Sequence, residues 1–249
     1  MQAVILAAGA GQRLKPVTNA LPKGLIEIEG KTLLEYSLDA LDEGGLKDII
    51  IVTGFFGEAI KQKFGNKYAG LKITYVLNEE YYKSGSMYSF SKARDIINND
   101  ILLLESDLLY DSKAIGVLLN SGFKDCVLAG KLSGSGDEVY ICVDENQRIT
   151  ELGKDITYEN KKKAIGELVG ISKFSKEFLA ELFKNAEGDY KKGEANRHYE
   201  ECILATAKSG NPVYGLLIGG LVWTEIDNEK DLLKAKSQVY PKIKRLSNR

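Results

Sequence analysis

The sequence predicts an α/β protein: three layers, α/β/α, around a mixed, mainly parallel β-sheet with a small antiparallel hairpin insertion. Two observations lead there. Short continuous apolar runs alternate along the chain with segments of helical period, and after about residue 130 that rhythm gives way to a hairpin pattern. Strands covered on both faces read as unbroken apolar runs, and strand–helix alternation builds a parallel sheet through right-handed crossovers.

The elements follow in order. Ala3 to Ala8, Ile49 to Thr53, Ile73 to Leu77, Ile101 to Leu104 and Val127 to Ala129 are rich in β-branched residues and leucine and have strand length. Between them Leu33 to Leu41, Gly57 to Phe64, Met87 to Ile97 and Ser112 to Leu119 carry apolar residues at helical spacing. Glu138 to Val143 and Arg148 to Leu152 flank the turn Asp144-Glu-Asn-Gln147 and predict a hairpin. A strand over Glu167 to Phe174, helices from Ser175 and Asn196, a strand near Pro212 to Ile218, and a last helix reaching about Tyr240 complete the reading.

The 249 residues suit one domain, 1–249, without repeats, low-complexity tracts or linkers. A formal net charge of −1 supplies no global field for nucleic acid or an anionic membrane, so any anion site must be local. Cys126, Cys142 and Cys202 are odd in number and lack metal-ligand spacing, which predicts buried thiols in a reducing compartment. Met1 leads straight into the first strand, and no apolar run approaches the ~20 residues a membrane span needs. The expected location is the cytoplasm. A homodimer is compatible with the sequence.

The chemistry begins where the first strand ends. Gly9 and Gly11 remove Cβ atoms that would block a phosphate, and their N–H groups can form an anion nest. Arg13 brings a planar fork of donors and Lys23 a point charge. A dinucleotide fingerprint requires a third glycine opening a helix, and a P-loop ends in Gly-Lys-Ser/Thr; Leu14-Lys15-Pro16 fits neither. The pattern predicts a triphosphate site of another kind. Attack by one anion on a polyphosphate also requires charge neutralisation, which points to a divalent metal. Asp107 follows the strand Ile101-Leu-Leu-Leu-Glu-Ser106, and Asp227 follows Trp223-Thr-Glu-Ile226; both suit a hard cation such as Mg²⁺. Either aspartate could instead serve near a helix N-terminus, and Ser86 could cap the helix that follows Gly85. His198 is the only histidine, so no catalytic triad or histidine-rich metal site can be built.

Leu6-Ala-Ala-Gly-Ala-Gly-Gln-Arg-Leu14 followed by Leu21-Pro22-Lys23 resembles the signature of the nucleotidyltransferases that make nucleotide-sugars and CDP-alcohols. That resemblance implies a Rossmann-like, nucleotide-diphospho-sugar transferase-like fold, with a nucleotide-binding half, 1–130, and an acceptor-binding half, 131–249. It implies that Leu6, Ala7, Ala8, Gly9, Ala10 and Gly11 contact the nucleotide, with Ala7, Ala8 and Gly9 leaving room for a pyrimidine. Arg13 and Lys23 would neutralise charge at the α-phosphate. Ser84-Gly-Ser-Met-Tyr-Ser89 resembles the segment that meets base and ribose, through Gly85 and Ser86. Glu105-Ser-Asp107 and Glu225-Ile-Asp227 look like the metal-binding strand ends, with Ser106 beside the nucleotide.

The layout is most similar to the small CTP-using phosphocholine branch. Tyr199, in His198-Tyr-Glu-Glu201, resembles one member of its aromatic cage, but Asp137-Glu-Val-Tyr-Ile141 has valine where the cage tryptophan would stand. Acidic residues crowd this half instead: Asp137, Glu138, Glu167, Glu200 and Glu201. A primary ammonium wants such acceptors, whereas trimethylammonium has no N–H to donate. The segments containing Glu138 and Tyr140, Glu167, and Tyr199 with Glu201 look like those of 2-aminoethylphosphonate cytidylyltransferases, and on that reading Lys154 binds the attacking phosphonate. The expected reaction is CTP plus 2-aminoethylphosphonate giving CMP-2-aminoethylphosphonate and pyrophosphate. Phosphocholine or a sugar 1-phosphate as acceptor, or a non-catalytic nucleotide-binding regulator, are the alternatives.

Overall fold

The structure is a computed structural model that describes residues 1–14 and 21–247. The stretch 15–20 of the basic loop lies outside the described residues. At the centre are the parallel strands β1 (Gln2–Ala7), β2 (Asp48–Thr53), β3 (Leu71–Leu77) and β4 (Ile101–Glu105), in the spatial order β4-β1-β2-β3. Alternation along each strand explains the three layers. Ala3, Ile5, Ile49, Ile51, Leu102 and Leu104 pack on one face, against helices α1 (Leu33–Glu43), α2 (Gly57–Phe64) and α4 (Lys113–Asn120). Val4, Ile50, Val52, Ile101 and Leu103 pack on the other, with α3 (Ser86–Ser91) and the later helices α6 (Lys176–Lys191) and α7 (Tyr199–Lys208). Residues two apart share a face, so an all-apolar strand feeds both cores.

Helix starts follow local chemistry. Thr32 accepts from the N–H of Glu35 while Glu35 accepts from the N–H of Thr32, a reciprocal capping box ahead of α1. Ser175 caps α6 by accepting from the Phe178 N–H. The helix expected over Met87 to Ile97 is shorter: α3 ends at Ser91, and a 3₁₀ turn covers Arg94–Ile96. A short helix, α5 (Tyr158–Lys163), adds to the elements expected from the sequence; its lysine-rich stretch has no apolar stripe to signal it.

The second half carries the antiparallel part. The hairpin forms as β7 (Tyr140–Val143) and β8 (Ile149–Gly153). The long strand β9 (Gly166–Phe174) runs antiparallel to β4, to β7 and to β6 (Cys126–Gly130), while β10 (Tyr214–Leu217) lies parallel to β6. One pairing has no simple sequence signal. β5 (Leu108–Tyr110), directly after β4, pairs with β11 (Trp223–Glu225), in register Glu225 with Leu108, and the Ile226 N–H donates to the Asp107 carbonyl at 3.0 Å. Two segments far apart in the chain are thereby locked side by side. Helices α8 (Glu229–Lys234) and α9 (Tyr240–Ser247) follow, and no helix among the described residues is long and apolar enough to cross a membrane.

Candidate active site

A cavity of about 1050 Å³ opens at the carboxyl ends of β1 and β4, the edge where open α/β sheets bind ligands. Its wall contains Leu6, Ala7, Ala8, Gly9, Gly11, Arg13, Lys23, Gly85, Ser86, Ser106 and Asp107 from the first half. Asp137, Glu138, Lys154, Glu167, Tyr199, Glu200 and Asp227 join them from the second. Three of the residues expected at the site, Ala10, Tyr140 and Glu201, lie outside that lining. Glu201 accepts from the His198 N–H at the start of α7, and Tyr140 donates to Glu138 beneath the Lys161 ammonium.

The β5–β11 ladder brings Asp107 and Asp227 to one point. Lys23 Nζ donates to Asp107 Oδ2 at 2.8 Å and to Asp227 Oδ1 at 2.5 Å, with all three side chains largely buried. Arg13 reaches Asp227 at 2.9 Å and Asp137 at 2.5 Å, and Lys154 meets the other oxygen of Asp137 at 2.6 Å. Burial works against the Lys23 ammonium, but the two aspartates more than offset it and raise its pKa above the ordinary lysine range. Asp227 and Asp137 are likewise disfavoured by burial, yet Lys23 and Arg13 hold the first, and Lys154 and Arg13 the second, below the usual carboxylate range. Neither Asp107 nor Asp227 is spent on a helix cap. Asp111 accepts from the Lys113 N–H at the start of α4, and Asn228 caps α8.

Two further acids, Glu105 and Glu225, sit beside them. Glu105 is pushed up to about 8 by burial, with Asp107 and Glu200 adding to it, and Glu225 up to about 10 by burial, Asp107 and Glu105. Carboxylate oxygens of Glu105, Asp107 and Glu225 lie within 4.8 Å of one another. The signal was present as two Glu-x-Asp pairs: residues two apart at a strand end point the same way.

In the second half, Glu167 is 3% exposed; its Oε2 accepts from Ser133 Oγ at 3.1 Å, and its buried Oε1 has no hydrogen-bond partner among the described residues. Burial pushes its carboxyl up to about 7, and nearby Glu138 adds to the effect. Burial also opposes ionisation of Glu138, but backbone N–H groups hold it below the usual carboxylate range. Tyr199, expected at an acceptor cage, directs its hydroxyl at Glu105 Oε1, 2.8 Å away. Ser86 Oγ accepts from the Tyr199 N–H at 3.0 Å rather than capping α3. Gly85 is demanded by packing: a Cβ there would collide with the carbonyls of Asn196 and Arg197. Gly11 lies in the left-handed region, φ +56°, while a Cβ at Gly9 would project into open space.

The chain matches the family model described as nucleotidyl transferase over residues 2–126. It is 26% identical over 245 residues to the CMP-5'-(3-aminopropyl)phosphonate synthase of Streptomyces rubellomurinus, covering 97% of this chain and 39% of that protein. It is 27% identical over 267 residues to the CTP:phosphoglutamine cytidylyltransferase of Campylobacter jejuni, covering 93% of this chain and 98% of that one. Among solved structures, the inositol-1-phosphate CTP transferase from T. maritima superposes with a TM-score of 0.80 at 23% identity, over 98% of this chain and 95% of that one. That likeness shows the fold.

Proposed function

Because the chain belongs to the nucleotidyl transferase family, we propose that it is a Mg²⁺-dependent cytidylyltransferase acting on CTP and 2-aminoethylphosphonate. The observation that carries this reading is the meeting of Lys23, Asp107 and Asp227 in one cavity with the glycine loop and the largely buried carboxyl of Glu167. The cytidylyl donor is supported by the names of both relatives, and an amino-alkyl phosphonate by that of the first.

The donor set suits a hard divalent ion. Glu105, Asp107 and Glu225 offer only carboxylate oxygens, close enough to share one cation, and Asp227 lies beside them. When bound, the ion supplies charge neutralisation at the α-phosphate and its leaving group. The remaining work falls to side chains and backbone. The N–H groups of the Gly9 to Gly11 segment are suited to the phosphate chain, and Lys23 and Arg13 to the charge that grows as the α-phosphorus is attacked. Lys154 is assigned to the acceptor phosphonate, and Glu167 with Glu138 to its ammonium. A phosphonate oxygen forms the new bond to the α-phosphorus, the bond from that phosphorus to the bridging oxygen breaks, and pyrophosphate leaves with the electron pair. The attacking oxygen is already ionised near neutral pH, so positioning and charge neutralisation suffice.

Pyrophosphate release with CTP, measured against 2-aminoethylphosphonate, phosphocholine and glucose 1-phosphate with Mg²⁺ supplied and withheld, tests the proposal. Saturation at far lower phosphocholine or sugar phosphate concentration would reassign the acceptor. Tight CTP binding with no release from any acceptor would make the protein a nucleotide-binding regulator.

A further inference from the structure

We propose that Tyr199 is a positioning residue for the Glu105 carboxyl rather than a cage member that holds the acceptor cation against its ring. The inference rests on reading Glu105, Asp107 and Glu225 as the seat of the divalent ion. Two independent features fix Glu105. On one side the buried Tyr199 hydroxyl donates to Oε1 at 2.8 Å, and the backbone N–H of the same tyrosine is held by Ser86 Oγ. On the other side lies Gly170, in the irregular stretch of β9 where ladder register shifts between Leu168 and Ser172. Its φ is +82°, and a Cβ there would come within 2.6 Å of Glu105 Oε2. The carboxyl is therefore held between a phenol and a notch that only glycine leaves open.

The consequence is chemical. A carboxylate that must present oxygen lone pairs to a cation loses affinity when it is free to rotate, and the partners that orient such ligands are typically worth 10–100-fold in metal affinity. A cage residue behaves differently: it offers its ring face to the substrate cation, and its loss appears in the acceptor KM. Tyr199 spends its only side-chain donor on Glu105, and its place at the start of α7 ties the acceptor half of the cavity to the carboxylate cluster.

The test uses Tyr199→Phe, which keeps the ring and removes the hydroxyl, with Mn²⁺ as a spectroscopic probe. Metal-binding titrations of the purified protein without acceptor are expected to show affinity weakened on the order of 10–100-fold. Turnover should recover as metal is raised, with the acceptor KM unchanged at saturating metal. Glu105→Gln should weaken Mn²⁺ binding as well, and Tyr199→Phe should add nothing in that background, since the two residues act through one contact. Unchanged metal affinity in Tyr199→Phe overturns the inference, whether or not the acceptor KM rises, as does a turnover defect that excess metal does not restore. A wild-type protein that binds no Mn²⁺ overturns the metal reading of the cluster, and this inference with it.

Discussion

Lys23 donates to Asp227 across 2.5 Å, joining the glycine-rich loop near the amino terminus to the residue that follows the last strand. The same ammonium holds Asp107, so one cation compensates two largely buried acids.

Replacing that cation should therefore have two separable effects. Lys23→Ala leaves Asp107 buried without its ammonium and Asp227 with Arg13 alone, and removing one partner of a buried pair costs about 3–5 kcal/mol. Thermal unfolding of the metal-free protein should show the loss, and added Mg²⁺ should restore more of it in the variant than it adds to wild type. Turnover, followed by pyrophosphate release, should fall by at least ~10²-fold even where the variant is folded, since a preorganised cationic donor at the reacting centre is gone. Near-normal turnover would remove Lys23 from its assigned role.

With Glu167 assigned to the acceptor ammonium, as proposed, acceptor recognition should depend on pH. Its carboxyl is pushed up to about 7, so it binds an ammonium poorly below that point and well above it. The KM for 2-aminoethylphosphonate should fall as pH rises through about 7. Glu167→Gln should flatten that profile and raise the KM on the order of tenfold or more, the worth of one charge-assisted hydrogen bond. A hydroxyl analogue without the amine should be indifferent to both changes; an equal response from it would place the ammonium elsewhere.

Metal-free stability should decline on the alkaline side. Burial and neighbouring acids push the carboxyls of Glu105 up to about 8 and of Glu225 up to about 10 in the folded chain, above the ordinary carboxylate range of the unfolded one. Folded protein then binds more protons than unfolded protein, and the slope of stability against pH is negative. The contribution is complete below the ordinary glutamate pKa and is lost as pH rises through about 8 and then about 10. Differential scanning calorimetry across pH 5 to 10 should show a falling Tm in chelator and a flatter curve with Mg²⁺. A Tm that rises with pH in chelator would contradict the burial of these acids.

Gly85→Ala should destabilise without altering charge. Its Cβ would meet the carbonyls of Asn196 and Arg197, where backbone rather than a flexible side chain must yield, and overpacking of this kind costs about 1–3 kcal/mol. The first effect to look for is a lowered Tm, with the CTP KM rising as the Ser86 to Tyr199 contact is disturbed.

The sequence by itself determined the layered sheet, the glycine-rich loop and its cations, and the two aspartates. All of these are written in short-range patterns: apolar runs, a period of two or 3.6, small residues where the backbone must come close. It also contained Glu105 and Glu225, each two residues before an aspartate, but spacing alone does not say that both pairs face one point. Tertiary structure decided that, through β5 pairing with β11, a contact between distant segments that no local pattern encodes. It likewise turned the Tyr199 hydroxyl onto Glu105, set Glu201 at the start of α7, and buried the Glu167 carboxyl beside the cavity with a single side-chain partner, Ser133, among the described residues. The physical reason is the same in each case. Which partner a polar side chain finds, and how far its pKa moves, depends on what the folded chain packs against it and how much water it removes.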